Sequence, residues 1–254
     1  GDGSERSRSV MRALYDQLDA PILFTDVKTA EMIKYASNAF LATQISYINS
    51  VAKICEAVGA DVTAVADGMR LDKRIGRRAF LDAGVGYGGS CFPKDVRALI
   101  RIAHENAVHF DILDAVEATN TYQKLSVIPK LKAALGTLQD KRITLWGLAF
   151  KPKTDDIREA PALTIARSLH EFGAKIKAFD PVAEKLARVQ LPFLTTAPEP
   201  LEAARGADAL VVVTEWSEFA AIDPEKIARV MRGKVVVDGR NALDPLACRK
   251  AGLT

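Results

Sequence analysis

The stretch RITLWGLAF, residues 142–150, decides the fold of the second half of this chain. It is a short run of β-branched and large apolar residues, and it leads through a polar loop to the helical pattern APALTIARSLHEFG at 160–173. Similar strand-like and helix-like segments then alternate: AKIKAFD (174–180), ADALVVVTEW (207–216), DPEKIARVM (223–231) and KVVVDGR (234–240). Strands that alternate with helices are typical of a parallel sheet with crossover helices. We therefore predict an α/β domain after Gly136.

The first half of the chain has a helical pattern instead. Residues 26–58 contain neither Gly nor Pro, begin at the possible N-cap Asp26 and stop at Gly59, which predicts one helix roughly 50 Å long. Its apolar residues spread around much of the circumference, so we expect it to pack against other helices or a second subunit. A second helical pattern covers residues 111–134, and we expect Pro129 to kink or restart it.

Composition excludes several classes of protein. The 254 residues carry a net charge of +3, with 48% hydrophobic and 26% charged residues and no basic block interleaved with aromatics, which argues against nucleic-acid binding. The longest uncharged stretch, 35–52, holds too many polar residues to span a membrane. Three cysteines without CxxC spacing favour neither a disulfide framework nor a zinc site, so we expect no metal and a reducing cytoplasm. The opening GDGSERSRSV has neither Met nor an apolar signal core, and we interpret it as part of a longer chain.

The segment GGSCFPKD, residues 88–95, is a candidate nucleophile site. Cys91 follows two glycines and precedes a predicted helix start at Pro93, where backbone amides and the Lys94 cation would both favour a thiolate. The alternative is a structural cysteine in a glycine turn. The overlapping GVGYGG, 84–89, satisfies GxGxxG but follows a charged segment instead of a strand, so we do not expect a dinucleotide fingerprint there.

Two further groups of residues carry chemistry. Lys34 and Asn38 are spaced i, i+4 on the predicted long helix and share one face. Because the next 18 residues are uncharged, we expect Lys34 to project into an enclosed polar pocket, where the pair could stabilise an oxyanion; the alternative is a solvated surface lysine. The loop after residues 142–150 carries cations suited to phosphate and an aromatic suited to a base, and Arg240 follows another strand at the same sheet edge. These loop residues are Phe150, Lys151, Lys153 and Arg158. The alternative is that they are surface residues of the loop, paired in salt bridges and without a ligand. Asp180 could bind a ribose or cap the helix opened by Pro181.

Four segments resemble the UDP-glucose 6-dehydrogenase family within the nucleotide-sugar dehydrogenases: AEMIKYASNAFLATQISYIN (30–49), RIGRRAFLDAGVGYGGSCFPKDV (74–96), GLAFKPKTDDIREAP (147–161) and DGRN (238–241). They occur in the family's order, and the similarity extends over nearly the whole chain. The resemblance implies a mixed α/β fold class, with an all-helical central dimerisation domain built on a long spine helix, then a Rossmann-like parallel-sheet UDP-binding domain. The implied divisions are a remnant of an N-terminal NAD-binding domain at 1–20, the helical domain at 21–130 and the UDP-sugar-binding domain at 131–254.

The resemblance also implies roles for individual residues. The catalytic group is Cys91 as nucleophile, Lys34 and Asn38 around the reacting C6 oxygen, and Asp95 as the carboxylate that assists water. The substrate group is Phe80, Tyr87, Phe150 and Lys151 around UDP-glucose, Arg240 close by, and Arg74 reaching the sugar nucleotide of a neighbouring subunit. The cofactor group is Lys94 and Arg158, which would contact NAD.

The implied activity is the NAD-dependent, twofold oxidation of UDP-glucose to UDP-glucuronate through a cysteine thiohemiacetal and thioester. Because the NAD-binding domain is expected to be missing, this chain alone is expected to be inactive. Two alternatives stay open: a dehydrogenase of UDP-N-acetylmannosamine or GDP-mannose, and a nonenzymatic UDP-sugar-binding dimerisation module. We expect a cytoplasmic homodimer with a small-molecule substrate and no nucleic-acid or membrane partner.

Overall fold

The computed structural model describes residues 4–254. Within them, the helices are α1 Glu5–Tyr15, α2 Val27–Val58, α3 Val62–Arg70, α4 Phe92–Glu105, α5 Asp111–Lys124, α6 Val127–Leu135, α7 Pro161–Glu171, α8 Glu184–Gln190, α9 Pro200–Ala204, α10 Ser217–Ala220, α11 Pro224–Val230 and α12 Pro245–Lys250, with a short 3-10 helix at Asp16–Leu18. The strands are β1 Arg142–Trp146, β2 Lys175–Phe179, β3 Thr195–Thr196, β4 Ala209–Val212 and β5 Val235–Asp238.

The long helix α2 confirms the prediction from the first half of the sequence. Asp26 caps its N-terminus by accepting a hydrogen bond of 2.9 Å from the Thr29 amide. Gly59 ends it at φ 77°, a left-handed conformation that suits a residue without a side chain. The middle of α2 packs against α4 and α5 and buries Ala42 and Ile48 completely. Helix α2 is therefore the axis of the helical half.

The five strands form one parallel sheet in the order β3-β2-β1-β4-β5, which confirms the predicted mixed α/β fold class. Strand β1 lies in the centre, where Ile143 pairs with Ile176 on one side and Ala209 on the other. Neighbouring residues of β1 point to opposite faces, so Leu145 and Trp146 enter two different apolar cores. Because all strands run the same way, their carboxyl ends and following loops meet at one edge, which faces the helical half.

One local expectation is wrong. The break in the helical pattern of residues 111–134 falls between Lys124 and Val127, before Pro129. Pro129 occupies the third position of α6, where an amide has no partner within the helix, so the ring is accommodated without a kink. In the described part of the chain, no helix is both long and apolar enough to cross a membrane.

The proposed domain limits at 1–20, 21–130 and 131–254 stay a prediction. Residues 1–3 of the first segment lie outside the described residues. The described remainder of that segment contains α1, which has no buried residue.

Candidate active site

A cleft of about 240 Å³ lies where the helical half meets the carboxyl edge of the sheet. Its walls include all five residues predicted to surround the substrate from this subunit, namely Phe80, Tyr87, Phe150, Lys151 and Arg240. The first two belong to the loop between α3 and α4, and the other three follow β1 and β5. Two separate parts of the sequence thus build one concave surface.

Glycines allow the two walls of this cleft to touch. A Cβ at Gly89, where φ is +85°, would lie 2.8 Å from the Phe150 ring. A Cβ at Gly88 would lie 2.3 Å from the Glu159 carbonyl oxygen, which is backbone and has little freedom to move. These glycines are required for close packing rather than for a dinucleotide turn, as expected from the absence of a preceding strand.

Side-chain amides hold the irregular loop 79–91 in place. Asn120 brackets Tyr87 by accepting from its amide at 2.8 Å and donating to its carbonyl at 3.2 Å. Asn49 accepts from the Gly84 amide at 2.8 Å, while Gln123 donates to the Gly84 carbonyl at 2.7 Å. A buried loop without regular structure needs such partners for its backbone. Sequence reasoning missed these amides, since each lies at least 33 residues from the loop residue it binds.

Cys91 is exposed at the N-cap of α4, between the cleft residues Gly88 and Phe92. The two other cysteines, Cys55 and Cys248, are buried. Burial raises the pKa of the Cys248 thiol, so its thiolate forms less readily. Only Cys91 combines exposure with a helix N-terminus in the described part of the chain.

A chain of polar contacts runs across the helical half beside Cys91. Lys34 Nζ donates to Asn38 Oδ1 at 3.2 Å, Asn38 Nδ2 donates to Asp95 Oδ2 at 2.5 Å, and Lys94 pairs with the other Asp95 oxygen. Burial alone would raise the pKa of Asp95, but the hydrogen bonds from Lys94 and Asn38 outweigh it and hold the pKa below its usual value. Asp95 is therefore an anion at neutral pH, one helical turn from Cys91.

The predicted pair Lys34 and Asn38 does form, although its lysine is exposed rather than enclosed. Asn38 is only 6% exposed. The amide thus connects a solvent-facing ammonium to a buried carboxylate.

The predicted cofactor residues flank Cys91. Hydrogen bonds to Asp95 and Asp156 raise the pKa of Lys94 and Arg158 respectively. Each cation is thus already paired with a carboxylate. Lys94 lies in the first turn of α4, and the Arg158 carbonyl accepts from the Gly89 amide, two residues before Cys91.

Arg74 lies outside the cleft. Its side chain is 89% exposed and pairs with Asp72 at 2.6 Å. It contributes nothing to the cleft of its own chain, and its predicted role across a subunit interface stays a prediction.

Sequence reasoning also missed Glu215, which follows β4 and lines the cleft. Its carboxylate lies 3.3 Å from Arg240 Nε, and the same nitrogen donates to the Val213 carbonyl at 2.8 Å. The contacts with Glu215 and the Val213 carbonyl thereby fix the orientation of the Arg240 guanidinium. The signal was available in the sequence, because Glu215 lies at the C-terminal end of the strand-like segment 207–216, at the same sheet edge as Arg240.

Asp180 is neither a ribose ligand nor a simple helix cap. It is 2% exposed, and both of its oxygens are used within the protein. Oδ2 accepts from the amides of Leu148 and Ala149 at 2.7 and 3.0 Å and from Trp216 Nε1 at 3.2 Å, and Oδ1 accepts from the amides of Val182 and Ala183 at 3.0 and 2.8 Å. The carboxylate fixes the loop that leads from β1 to Phe150.

These contacts bear on the cofactor. In a Rossmann-like sheet, the amides after the first strand are the cradle of a dinucleotide pyrophosphate, but here Asp180 takes the amides of Leu148 and Ala149. Residues 4–254 therefore form no dinucleotide cradle of that kind at β1. Lys94 and Arg158 remain the candidate contacts for the cofactor.

A second cavity, of about 520 Å³, lies at the opposite edge of the sheet. It is bordered by His170 and Arg205, at the C-terminal ends of α7 and α9. Its lining includes the cations Arg142, Lys175 and Lys177, but none of the residues predicted to surround the substrate and not Cys91. The cleft near Cys91 is therefore the candidate site.

Together these features define a two-part α/β protein, in which a sheet edge suited to a nucleotide faces a helix N-terminus that carries an exposed cysteine. Two models of one family match the chain: the central domain of the UDP-glucose/GDP-mannose dehydrogenase family over residues 28–122, and its UDP binding domain over residues 144–245. This chain belongs to the UDP-glucose/GDP-mannose dehydrogenase family.

Individual relatives agree with that assignment. The chain is 42% identical over 256 residues to UDP-glucose 6-dehydrogenase TuaD of Bacillus subtilis, covering 99% of this chain and 55% of the relative. A UDP-glucose dehydrogenase structure from Pyrobaculum islandicum matches with a TM-score of 0.88 and 39% identity, over 95% of this chain and 54% of the other. A GDP-mannose dehydrogenase structure from Pseudomonas aeruginosa matches with a TM-score of 0.55 and 29% identity, over 96% and 57%. The chain thus spans about half the length of these relatives.

Proposed function

We propose that this chain supplies the substrate cleft and the nucleophile for the twofold oxidation of UDP-glucose to UDP-glucuronate. The observation that carries the proposal is the convergence of Phe80, Tyr87, Phe150, Lys151 and Arg240 on one cleft next to an exposed cysteine. Aromatic walls suit a base and a sugar, and the two cations suit a diphosphate.

Cys91 is the proposed nucleophile for the aldehyde produced by the first oxidation. Its thiolate adds to the carbonyl carbon, forming a carbon–sulfur bond and an oxyanion. Lys34 and Asn38 stabilise that oxyanion by charge and hydrogen bonding. The second oxidation gives a thioester, which water cleaves, releasing the carboxylate and restoring the thiolate.

Asp95 is the proposed partner of that water. It is held as an anion beside Cys91, so it can orient the water and accept its proton as the carbon–sulfur bond breaks. Because both oxygens already accept one hydrogen bond each, the carboxylate has a fixed direction and its remaining lone pairs are available.

The proposed oxidant is NAD, which supplies a hydride acceptor for each of the two oxidations. Lys94 and Arg158 would contact it beside Cys91, and its main binding surface would lie outside the described residues. The chain alone is therefore expected to bind a uridine nucleotide sugar without reducing NAD, because near-attack geometry requires both reactants to be held.

We also propose that the chain forms a homodimer through α2, in the cytoplasm. Four apolar residues of α2 recur every seventh position, which places them on one face, and all are exposed: Ile33 45%, Phe40 62%, Tyr47 56% and Ile54 63%. This stripe, an exposed apolar residue at every second turn of one face of a long helix, supports a second copy as its partner.

Calorimetric titration with UDP-glucose, UDP-N-acetylmannosamine and GDP-mannose tests the substrate. We expect the tightest binding for UDP-glucose and at least tenfold weaker binding after Lys151→Ala. A matched control is Lys153→Ala, a lysine of the same loop that does not line the cleft. Tighter binding of either of the other sugars would favour the corresponding alternative, and no binding of any uridine nucleotide would contradict the proposal.

A further inference from the structure

Four charged residues form a cluster between the two halves of the chain, behind the cleft wall. Arg97 of α4 contacts Glu117 of α5 at 2.8 Å and Glu159 of the loop before α7 at 3.1 Å. Lys124, at the end of α5, lies 3.6 Å from the same Glu159 carboxylate. We call Arg97, Glu117, Lys124 and Glu159 the charge clamp. It connects two helices of the helical half to a loop of the sheet half.

The charge clamp is stronger than an ordinary surface ion pair. Arg97 presents two nitrogens to Glu159 and a third to Glu117, which fixes its guanidinium plane. The side chain of Lys124 is only 10% exposed, so its charge has few other partners. Hydrogen bonds from Arg97 lower the pKa of Glu159, and burial lowers the pKa of Lys124. Glu159 is therefore the carboxylate that both cations of the clamp contact, while Arg97 has Glu117 as a second partner.

The backbone of Glu159 touches the cysteine loop directly. Its φ is 53°, a left-handed conformation that side-chain-bearing residues rarely adopt. In this conformation its carbonyl oxygen lies against Gly88, which has room for hydrogen only. The Gly89 amide donates to the neighbouring Arg158 carbonyl at 2.8 Å. The backbone of residues 158–159 thus packs directly against Gly88 and Gly89.

These contacts connect the cysteine to one wall of the cleft. Cys91 is the N-cap of α4, and Arg97 lies six residues further along that helix. From Arg97 the contacts continue through Glu159 to Gly88 and Gly89, and Gly89 lies against Phe150. The position of the sulfur relative to the cleft wall is therefore set partly by a side chain that touches neither the cleft nor the sulfur.

We propose that Glu159 is a positioning residue, which holds the cysteine loop in register with the cleft through the charge clamp and through its backbone contact with Gly88. The proposal rests on the proposed function in taking Cys91 as the reacting thiol and the cleft as the substrate site. Without the carboxylate, Arg97 and Lys124 lose their shared partner, and the left-handed backbone at Glu159 loses the contact that maintains it.

Hydrogen exchange of backbone amides, read by mass spectrometry, tests this without any ligand. Glu159→Gln keeps the size of the side chain and removes its charge. We expect exchange of the amides of residues 84–92 to become at least tenfold faster, with the strands of the sheet unchanged. Glu105→Gln is the matched control, since it removes the charge of an exposed carboxylate that pairs with Arg101 within α4. In this variant, exchange of the amides of residues 84–92 should stay within twofold of the rate in the original chain.

Alkylation of Cys91 supplies a second measurement that a general loss of stability would not reproduce. At saturating UDP-glucose, we expect the original chain to be alkylated by iodoacetamide at least tenfold more slowly than without ligand. In Glu159→Gln the protection should fall below threefold even when UDP-glucose is again saturating. Glu159→Asp, which keeps a carboxylate, should recover part of the protection.

Several outcomes overturn the proposal. Unchanged exchange at residues 84–92 in Glu159→Gln would refute it, as would equal acceleration throughout the sheet, which indicates a purely structural role. If Glu159→Gln does not fold, Glu159→Asp and Arg97→Lys weaken the charge clamp with a smaller change. Unchanged exchange of residues 84–92 in both of these variants refutes the proposal. If UDP-glucose binds none of the chains, the proposed function fails, while the exchange rates still decide the role of Glu159.

Discussion

Replacing Asp180 should be among the most destabilising single substitutions in this protein. The carboxylate is 2% exposed and accepts five hydrogen bonds, at distances from 2.7 to 3.2 Å. It joins the loop after β1, the turn after β2 and Trp216. Asp180→Ala leaves five donors without their partner, and four of these hydrogen bonds are buried.

The magnitude follows from those donors. An unsatisfied buried donor costs about 1–3 kcal/mol, and the costs do not add fully because water and small shifts rescue some of the donors. We expect Asp180→Ala to lower the free energy of unfolding by about 4 kcal/mol, a large share of the roughly 5–15 kcal/mol of a typical domain. Asp180→Asn keeps one acceptor oxygen and should cost about half as much.

Urea unfolding followed by circular dichroism measures this difference. The matched control is Asp244→Ala, which removes an exposed carboxylate that caps α12 through the amides of Leu246 and Ala247. Loss of an exposed cap costs about 1 kcal/mol. If Asp180→Ala were no more destabilising than Asp244→Ala, the central role assigned to Asp180 would be wrong.

Three other predictions concern the interface, the sheet and the thiol. Phe40→Lys should convert a dimer of twice 27.5 kDa to a monomer in light scattering, because it places an ammonium in the apolar stripe. Tyr122→Lys, at an exposed aromatic of α5, should leave the dimer intact, and a monomeric original chain would refute the α2 interface. Burial would raise the pKa of Asp208, but hydrogen bonds from Arg232 and a backbone amide hold that pKa below its usual value. Its contribution is therefore present above about pH 4 and is lost as the pH falls through the lower folded pKa. Asp208→Asn should cost about 1–3 kcal/mol at pH 7 and less at pH 2, and an equal cost at both values would contradict this. Iodoacetamide should modify Cys91 faster than either buried cysteine, because Cys91 alone of the three is exposed, and slower labelling of Cys91 would contradict its accessibility.

The elements of the fold were predictable where the signal is local. Helix α2 follows from an absence of Gly and Pro between a capping Asp26 and a terminating Gly59. The parallel sheet follows from the alternation of strand and helix patterns. The end of α5 was not predictable from Pro129. A proline disrupts the interior of a helix but is accommodated in its first turn, and the pattern of residues 111–134 does not show which of these positions Pro129 occupies.

The candidate site was predictable to a different extent. The resemblance identified residues such as Phe80 and Arg240 before any geometry was known, and the structure brings them to one cleft. The groups that hold the cleft walls in place were not found. Asn120 and Glu159 act on loop residues 33 and 71 positions away in the sequence, and such pairs leave no periodic pattern. The position of Asp180 after a strand indicates a ribose ligand or a helix cap, whereas the five donors that it binds are brought together only by the fold.

The central claim is that a uridine nucleotide sugar occupies the cleft beside Cys91. The most direct measurement is the rate of Cys91 alkylation by iodoacetamide as a function of UDP-glucose concentration, with peptide mass identifying the labelled residue. We predict a saturable decrease of at least tenfold for Cys91, with the midpoint at the calorimetric Kd, and no decrease for Cys55 or Cys248. An alkylation rate of Cys91 that does not change while UDP-glucose is bound would contradict the claim.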